Sequence, residues 1–361
     1  MPGPSNSTGS RADIQMPADV PAEPEFRIVY MGTPDFAVPA LNALAAAGMK
    51  PLLVITQPDR PQGRKQRMTP PPVKETARKL SIDVLQPESL HRAEGKEIRA
   101  IMRTLDPHFL VTASYGKILP EAMLKLARIE AVNVHGSLLP AYRGASPVQQ
   151  AIINGDAVTG ITIMRMVKEM DKGPVFTARE WPIGPETTAD ELMAELALLA
   201  AEMLPDSLRR IASGDLLPAE QNEENASYVT MLDRDSGKIV WSDSAQTIHN
   251  LVRGTYSWPG AYSYLNGQRI KVHKTRFLST GELIAAGGTE LDNEQIDAAE
   301  PGTLVGQRKG LWVKTGHGIL SLEEIQPSGK KVQLAREVSH NYETGMRFTD
   351  DLETENEGQS R

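Results

Sequence analysis

The chain has no cysteine among its 361 residues. That excludes a disulfide framework, a thiolate nucleophile and a thiolate metal site, and it fits a reducing compartment such as the cytoplasm. No apolar run approaches the ~20 residues of a membrane helix, so no membrane partner is expected. Residues 1–25 lack the basic start and apolar block of a secretory signal. A P-loop is absent. So is the three-glycine dinucleotide fingerprint: the first turn after a strand reads Gly32-Thr33-Pro34-Asp35, which argues against a nicotinamide cofactor. The 7 histidines show no paired ligand spacing, and no metal is expected. The net charge of −7 excludes a generally basic nucleic-acid coat.

What is present suits two domains and a sizeable core. Residues 1–25, rich in Pro, Ser, Ala and Gly, read as a disordered extension. A buried strand at 26–31, an amphipathic helix at 36–47 ended by Gly48, and a strand at 51–56 make a βαβ unit, hence a mostly parallel, Rossmann-like α/β sheet. Residues 57–72 form a long proline-containing loop hinged at Gly63. From Arg60 onward the chain carries Arg64, Lys65, Arg67, Lys74, Arg78 and Lys79 against Glu75 alone. The acidic total thus hides a basic patch, read either as a solvated surface loop or as a flexible arm that meets a polyanion. Helices follow at 73–80, 92–105 and 121–127, with strands at 84–85, Phe109–Ala113 and 129–134. Strands at 160–167 and 175–181 flank a tight turn, and a long Ala- and Leu-rich helix over 188–213 closes the first domain. Residues 214–228 are polar and uneven, as a linker is. Beyond them come a helix at 245–253, a hairpin signalled by Asn266-Gly267, strands at 302–306, 310–314 and 318–325, and a short helix at 333–338. Closely spaced strands with Gly turns suggest a small β-barrel over 229–340. An acidic tail at 341–361 ends the chain.

The central stretch begins with Asn133 and His135. By two-residue alternation they project to the same side at the carboxyl end of a strand, where open α/β sheets bind ligands. Ser146, Pro147 and Gln149 read as N-cap, first helical residue and capping-box partner of the next helix. Asp171 sits in the later tight turn. Each residue alone has a bland reading as turn former or satisfied buried group. Together they form an Asn/His/Asp cluster suited to transfer between two bound substrates. Asn and His would donate to a developing oxyanion, and Asp would orient the imidazole and relay a proton.

The stretch VNVHGSLLPAYRGASPVQQAI, followed by ITIMRMVKEMDKGPV, resembles the 10-formyltetrahydrofolate-dependent formyltransferase family. MGTPDFAVPAL, TQPDRPQGRKQRMTPPPVK and ASYGKILP extend the resemblance over nearly all of 26–338, to the branch that formylates initiator methionyl-tRNA. The resemblance implies that Asn133, His135 and Asp171 are the catalytic trio. It implies that Ser137, Leu138, Leu139 and Pro140, with Tyr115, Gly116, Ile118 and Leu119, hold 10-formyltetrahydrofolate. It further implies that the second domain is an OB-like barrel, and that the loop carrying Arg60, Arg64, Lys65 and Arg67 meets the acceptor stem of tRNA. A monomer is expected. A formyltransferase for an amino-sugar nucleotide and a catalytically silent tRNA-binding protein remain alternatives. The long basic loop speaks against the first, and the intact trio against the second.

Overall fold

The computed structural model describes residues 25–63, 65–278, 280–285, 287–289, 291–308 and 310–351. The expected N-terminal extension up to residue 24, Arg64 and the acidic stretch 352–361 lie outside the described residues. In chain order the first domain comprises β1 Ile28–Gly32, α1 Val38–Ala46, β2 Leu53–Ile55, β3 Arg60–Gln62, β4 Arg67–Thr69, α2 Pro72–Lys79, β5 Asp83–Leu85, α3 Ala93–Leu105, β6 Phe109–Ala113, α4 Glu121–Leu124, β7 Glu130–His135, β8 Arg143–Gly144, α5 Pro147–Asn154, β9 Val158–Arg165, β10 Val175–Pro182 and α6 Ala189–Ser213.

Seven of these strands form one sheet in the order β10-β9-β7-β6-β1-β2-β5. Pairings from β5 to β7 are parallel, and β9 and β10 are antiparallel additions. The runs of β1 and β6 are buried at every residue, as strands covered on both faces must be. Alternation divides them between two cores. Ile28 and Tyr30 pack with Leu192 and Leu196 of α6, whereas Val29 and Met31 pack with Ile98 and Met102 of α3. From β1 the chain proceeds to β2 and β5 on one side, then returns to β6 and β7 on the other. The switch point therefore lies between β1 and β6, and a crevice opens at their carboxyl ends.

The second part comprises β11 Tyr228–Val229, α7 Ala245–Gly254, β12 Ala261–Leu265, β13 Gln268–Leu278, β14 Leu304–Gly306, β15 Leu311–Lys314, β16 Ile319–Pro327, β17 Gln333–Leu334 and β18 Phe348–Thr349. Strands β12 to β18 form a curled antiparallel sheet, ordered β14-β15-β16-β13-β12-β18 with β17 on β16. Its edges meet through a Thr303–Arg347 bridge. The β12–β13 hairpin turns on Asn266 and Gly267, both with left-handed φ (50° and 70°), as an Asn-Gly hairpin requires. Among the described residues, no helix is long and apolar enough to cross a membrane.

Four local expectations need correction. The loop at 57–72 is a β3–β4 hairpin, because Arg60–Gln62 pairs antiparallel with Arg67–Thr69. The helix expected over 121–127 stops at Leu124. Residues 333–334 pair with β16 before the helix Ala335–Val338 begins. Part of the expected acidic tail belongs to the barrel. There, Phe348 is 1% exposed, pairs through β18 with β12 and packs on Trp241 at 5.5 Å. The segment after α6 also packs tightly. Ala219 bridges Val175, and β11 pairs in parallel with β8. At the domain junction, Arg253 of α7 donates to the carbonyls of Gly184 and Thr187.

Phe348→Ala is expected to lower the stability of the second domain by about 3–5 kcal/mol, the usual cost of emptying a buried aromatic site. Urea unfolding followed by tryptophan fluorescence measures it. A loss under about 1 kcal/mol would mean that this segment is peripheral.

Candidate active site

Strand β7 places Asn133 and His135 at the crevice. The connection from β9 to β10 returns across β7 and brings Asp171 to them. His135, 6% exposed, faces Asp171 with Nδ1 and Oδ2 3.8 Å apart. That is longer than a hydrogen bond but close enough for charge to be felt. His135 Nε2 lies 3.0 Å from the Tyr142 carbonyl. A carbonyl only accepts, so the neutral ring carries its proton on Nε2 and leaves Nδ1 open toward Asp171. With Nε2 given to Tyr142, the ring has a second N–H to donate, at Nδ1, only when it is protonated, and that is the form in which the expected His135 donor would act. The Thr112 hydroxyl donates to Asn133 Oδ1 at 2.8 Å, which leaves the Nδ2 donors for other partners.

Asp171 has a left-handed backbone, φ 52°. Its Oδ2 accepts the Gly144 N–H at 2.9 Å. Gly144 itself sits at φ 124°, and a Cβ there would lie 2.0 Å from the Val229 carbonyl. Only glycine fits between β11 and the Asp171 carboxylate.

The cleft around these residues has a volume of about 1090 Å³. Tyr115, Gly116, Ile118 and Leu119 line it, as do Asn133, His135 and Asp171. Ser137, Leu138, Leu139 and Pro140 follow directly on His135 and Gly136 of that lining, and they also build the loop that carries Tyr142 and Gly144. Ser137 is fully buried and donates to the Ala141 carbonyl at 2.6 Å. Thr162 on β9 donates to the Ser137 carbonyl and accepts from the Leu139 N–H. Leu138 packs against Gly160. Ser146 departs from expectation. It makes no side-chain cap on α5, and its hydroxyl accepts the Leu232 N–H instead.

Several lining residues carry no signal in the sequence near the motif. Met193, Ala194, Ala197 and Leu198 come from one face of α6, and Met231 from beyond the linker. With Phe36, Met164, Met166 and Met170 they make a wall of deformable apolar side chains, suited to a flat heteroaromatic ring. The Tyr115 hydroxyl is buried without a hydrogen-bond partner, and Tyr115 lines the same cleft. The apolar wall fits a pterin ring.

The basic hairpin presents Lys65 and Arg67 to solvent, while Arg60 pairs loosely with Glu88 at 3.4 Å. Arg64 lies outside the described residues. Lys74 is withdrawn from the basic set: it is 8% exposed and bonds both oxygens of Asp59 at 2.7 and 2.8 Å. The Lys74 ammonium and the Gln86 amide hold the Asp59 carboxyl below its ordinary range. This pair roots the hairpin on α2.

The formyl transferase family profile matches residues 26–208, and that of the formyl transferase C-terminal domain matches residues 231–342. Fold and sequence thus define a formyl transferase with its C-terminal domain. A methionyl-tRNA formyltransferase of Acetivibrio thermocellus is 44% identical over 301 residues, covering 83% of this chain and 91% of its own length. That of Thermodesulfovibrio yellowstonii is 38% identical over 310 residues, covering 86% and 94%. The chain belongs to the methionyl-tRNA formyltransferase family. Solved structures share the fold at much lower identity. An N-formyltransferase from Helicobacter canadensis, in complex with folinic acid and dTDP-3-aminofucose, superposes with a TM-score of 0.57 at 17% identity, covering 83% of this chain and 99% of that one. HypX from Aquifex aeolicus, in complex with tetrahydrofolic acid, gives 0.56 at 15%, covering 87% and 46%.

Gly144→Ala is expected to displace the loop that holds Asp171 and to slow formyl transfer on the order of 10²-fold, the scale of an ångström-sized misplacement. Single-turnover transfer assays measure this. Wild-type activity in the variant would show that the Asp171 position does not depend on Gly144.

Proposed function

We propose that this protein transfers the formyl group of 10-formyltetrahydrofolate to the free amino group of initiator methionyl-tRNA, in the cytoplasm and as a monomer, to supply translation initiation. The observation that carries this reading is its 38–44% identity, over more than four fifths of the chain, to relatives named for that activity. The fold neighbours that act on sugars share 16–17% identity, and they support the fold alone.

10-Formyltetrahydrofolate supplies the activated formyl group. Asn133 Nδ2, oriented by Thr112, is the donor assigned to the formyl oxygen as negative charge develops there. His135 Nδ1 takes the proton from the attacking amine and passes it to the departing folate nitrogen. Asp171 stabilises the imidazolium formed in between, and the Tyr142 carbonyl holds the ring through Nε2. Tyr115, Gly116, Ile118 and Leu119 border the pterin. Arg60, Lys65 and Arg67 of the hairpin, with Arg64 read from sequence alone, contact acceptor-stem phosphates. The second domain holds more of the tRNA.

Removing one such group usually costs about 10²–10³ in rate. His135→Ala and Asp171→Ala are each expected to lower kcat by that factor while leaving tRNA affinity nearly unchanged. Steady-state transfer to charged initiator tRNA decides it, with glycinamide ribonucleotide and an amino-sugar nucleotide as competing acceptors. Transfer only to a small acceptor would overturn the tRNA reading, and normal turnover in either variant would overturn the roles of these residues. The double variant Lys65→Ala/Arg67→Ala is expected to flatten the log–log salt dependence of tRNA binding by about 0.7–0.9 per lost phosphate contact. An unchanged slope would remove the hairpin from the tRNA interface.

A further inference from the structure

The segment between the two domains reaches the Asp171 turn through the side-chain amide of Gln221. Gln221 Oε1 accepts from Arg143 Nε at 3.1 Å and Nη2 at 2.8 Å. Its Nε2 donates to the Asp171 carbonyl at 2.8 Å and to the Gly173 carbonyl at 2.7 Å. Arginine has no acceptor and a carbonyl has no donor, so these partners settle which end of the amide is which and use all of its bonding capacity. Both carbonyls belong to the turn that presents Asp171. That turn has a left-handed residue at Asp171, and Gly173 is pressed against the Arg165 carbonyl, where a Cβ would sit 1.9 Å away. Such a backbone persists where its surroundings over-determine it.

The other hold on Asp171 comes from the same quarter. Gly144, which donates to its carboxylate, follows Arg143 directly. Strand β11 pairs with Arg143 and Gly144, and the Ser227 carbonyl accepts the Arg143 N–H at 2.9 Å. The Asp171 carbonyl and carboxylate are thus both held by parts that the interdomain segment touches.

We propose that Gln221 is a positioning residue for formyl transfer, clamping the Asp171 turn to the Arg143 loop so that the interdomain segment completes the active site. This rests on the role of Asp171 given above. Gln221→Glu is the discriminating variant. It keeps the acceptor for Arg143, so the segment stays docked, but it replaces two donors facing carbonyls with an acceptor. Gln221→Leu removes both sets of bonds.

In the full-length protein, Gln221→Glu is expected to lower kcat on the order of 10- to 100-fold. KM for 10-formyltetrahydrofolate and for charged tRNA should stay within about twofold, a split that loss of substrate binding would not give. Amide hydrogen exchange of a peptide covering residues 166–174 is expected to rise at unchanged melting temperature. Wild-type kcat, a rise in KM alone, or unchanged exchange in Gln221→Glu would each overturn the proposal. Should Gln221→Leu fail to fold, Gln221→Glu still decides. The exchange readout needs no substrate, so it tests the clamp even if the wild type transfers no formyl group, a result that would overturn the proposed function instead.

Discussion

Arg143 carries its guanidinium into a place with no solvent exposure. A charge left unpaired there would be too costly to keep. All five of its N–H groups find acceptors. Gln221 takes two, the Glu223 carboxylate takes two, and the Tyr228 hydroxyl takes one. The guanidinium in turn holds Glu223 below the usual carboxylate range. Each acceptor lies 78 or more residues further along the chain, on or next to the segment between the domains. The loop after β7 therefore reaches its final form only when that segment has docked. Gly144, next in the chain, then aims its N–H at Asp171. A charged pair outside the cleft thus sets the geometry within it.

The sheet supplies the complementary constraint. Strands β1 and β6 are covered on both faces, so their side chains are committed to packing and only their carboxyl ends remain for chemistry. Strand β7 has a less uniform burial pattern, and it carries Asn133 and His135. The antiparallel β9, registered with Asn133 opposite Met164, sends the chain into the turn that returns Asp171. Thr112 on β6 reaches the Asn133 amide because β6 and β7 pair with Thr112 beside Asn133. Parallel neighbours thus orient the amide, and the antiparallel addition delivers the carboxylate.

Local chemistry was legible in the sequence, and its long-range use was not. The alternation that puts Asn133 and His135 on one side follows from two residues, and the hairpin at Asn266-Gly267 follows from its turn. In the structure Thr188 caps α6 through a capping box with Glu191. Ser146 presents the same kind of signal, but its hydroxyl is taken by Leu232, a partner 86 residues away. The SLLP run was assigned to folate by resemblance alone. Within the chain its polar groups bond Ala141 and Thr162, partners that no local pattern announces. Gln221 offered no signal at all, since a polar residue in a polar segment gains meaning only from Arg143 and Asp171. Lys74 looked like part of a basic surface, and Asp59 removed it.

Charge explains why an acidic chain can meet a polyanion. At physiological ionic strength a charge is screened over about 8 Å. A phosphate at the hairpin therefore senses Lys65 and Arg67 rather than the net −7. The exposure of these side chains, with Lys74 and Asp59 neutralising each other at the root, leaves a small positive tip on a braced stem. A stem paired over Arg60–Gln62 and Arg67–Thr69 leaves less chain to be ordered on binding than a loop with no pairing would. The bulk acidity meanwhile opposes indiscriminate binding elsewhere on the surface. Under the proposed function, attraction concentrated at the hairpin of an acidic chain favours a defined docking geometry over mere adhesion, as transfer to a single amino group demands.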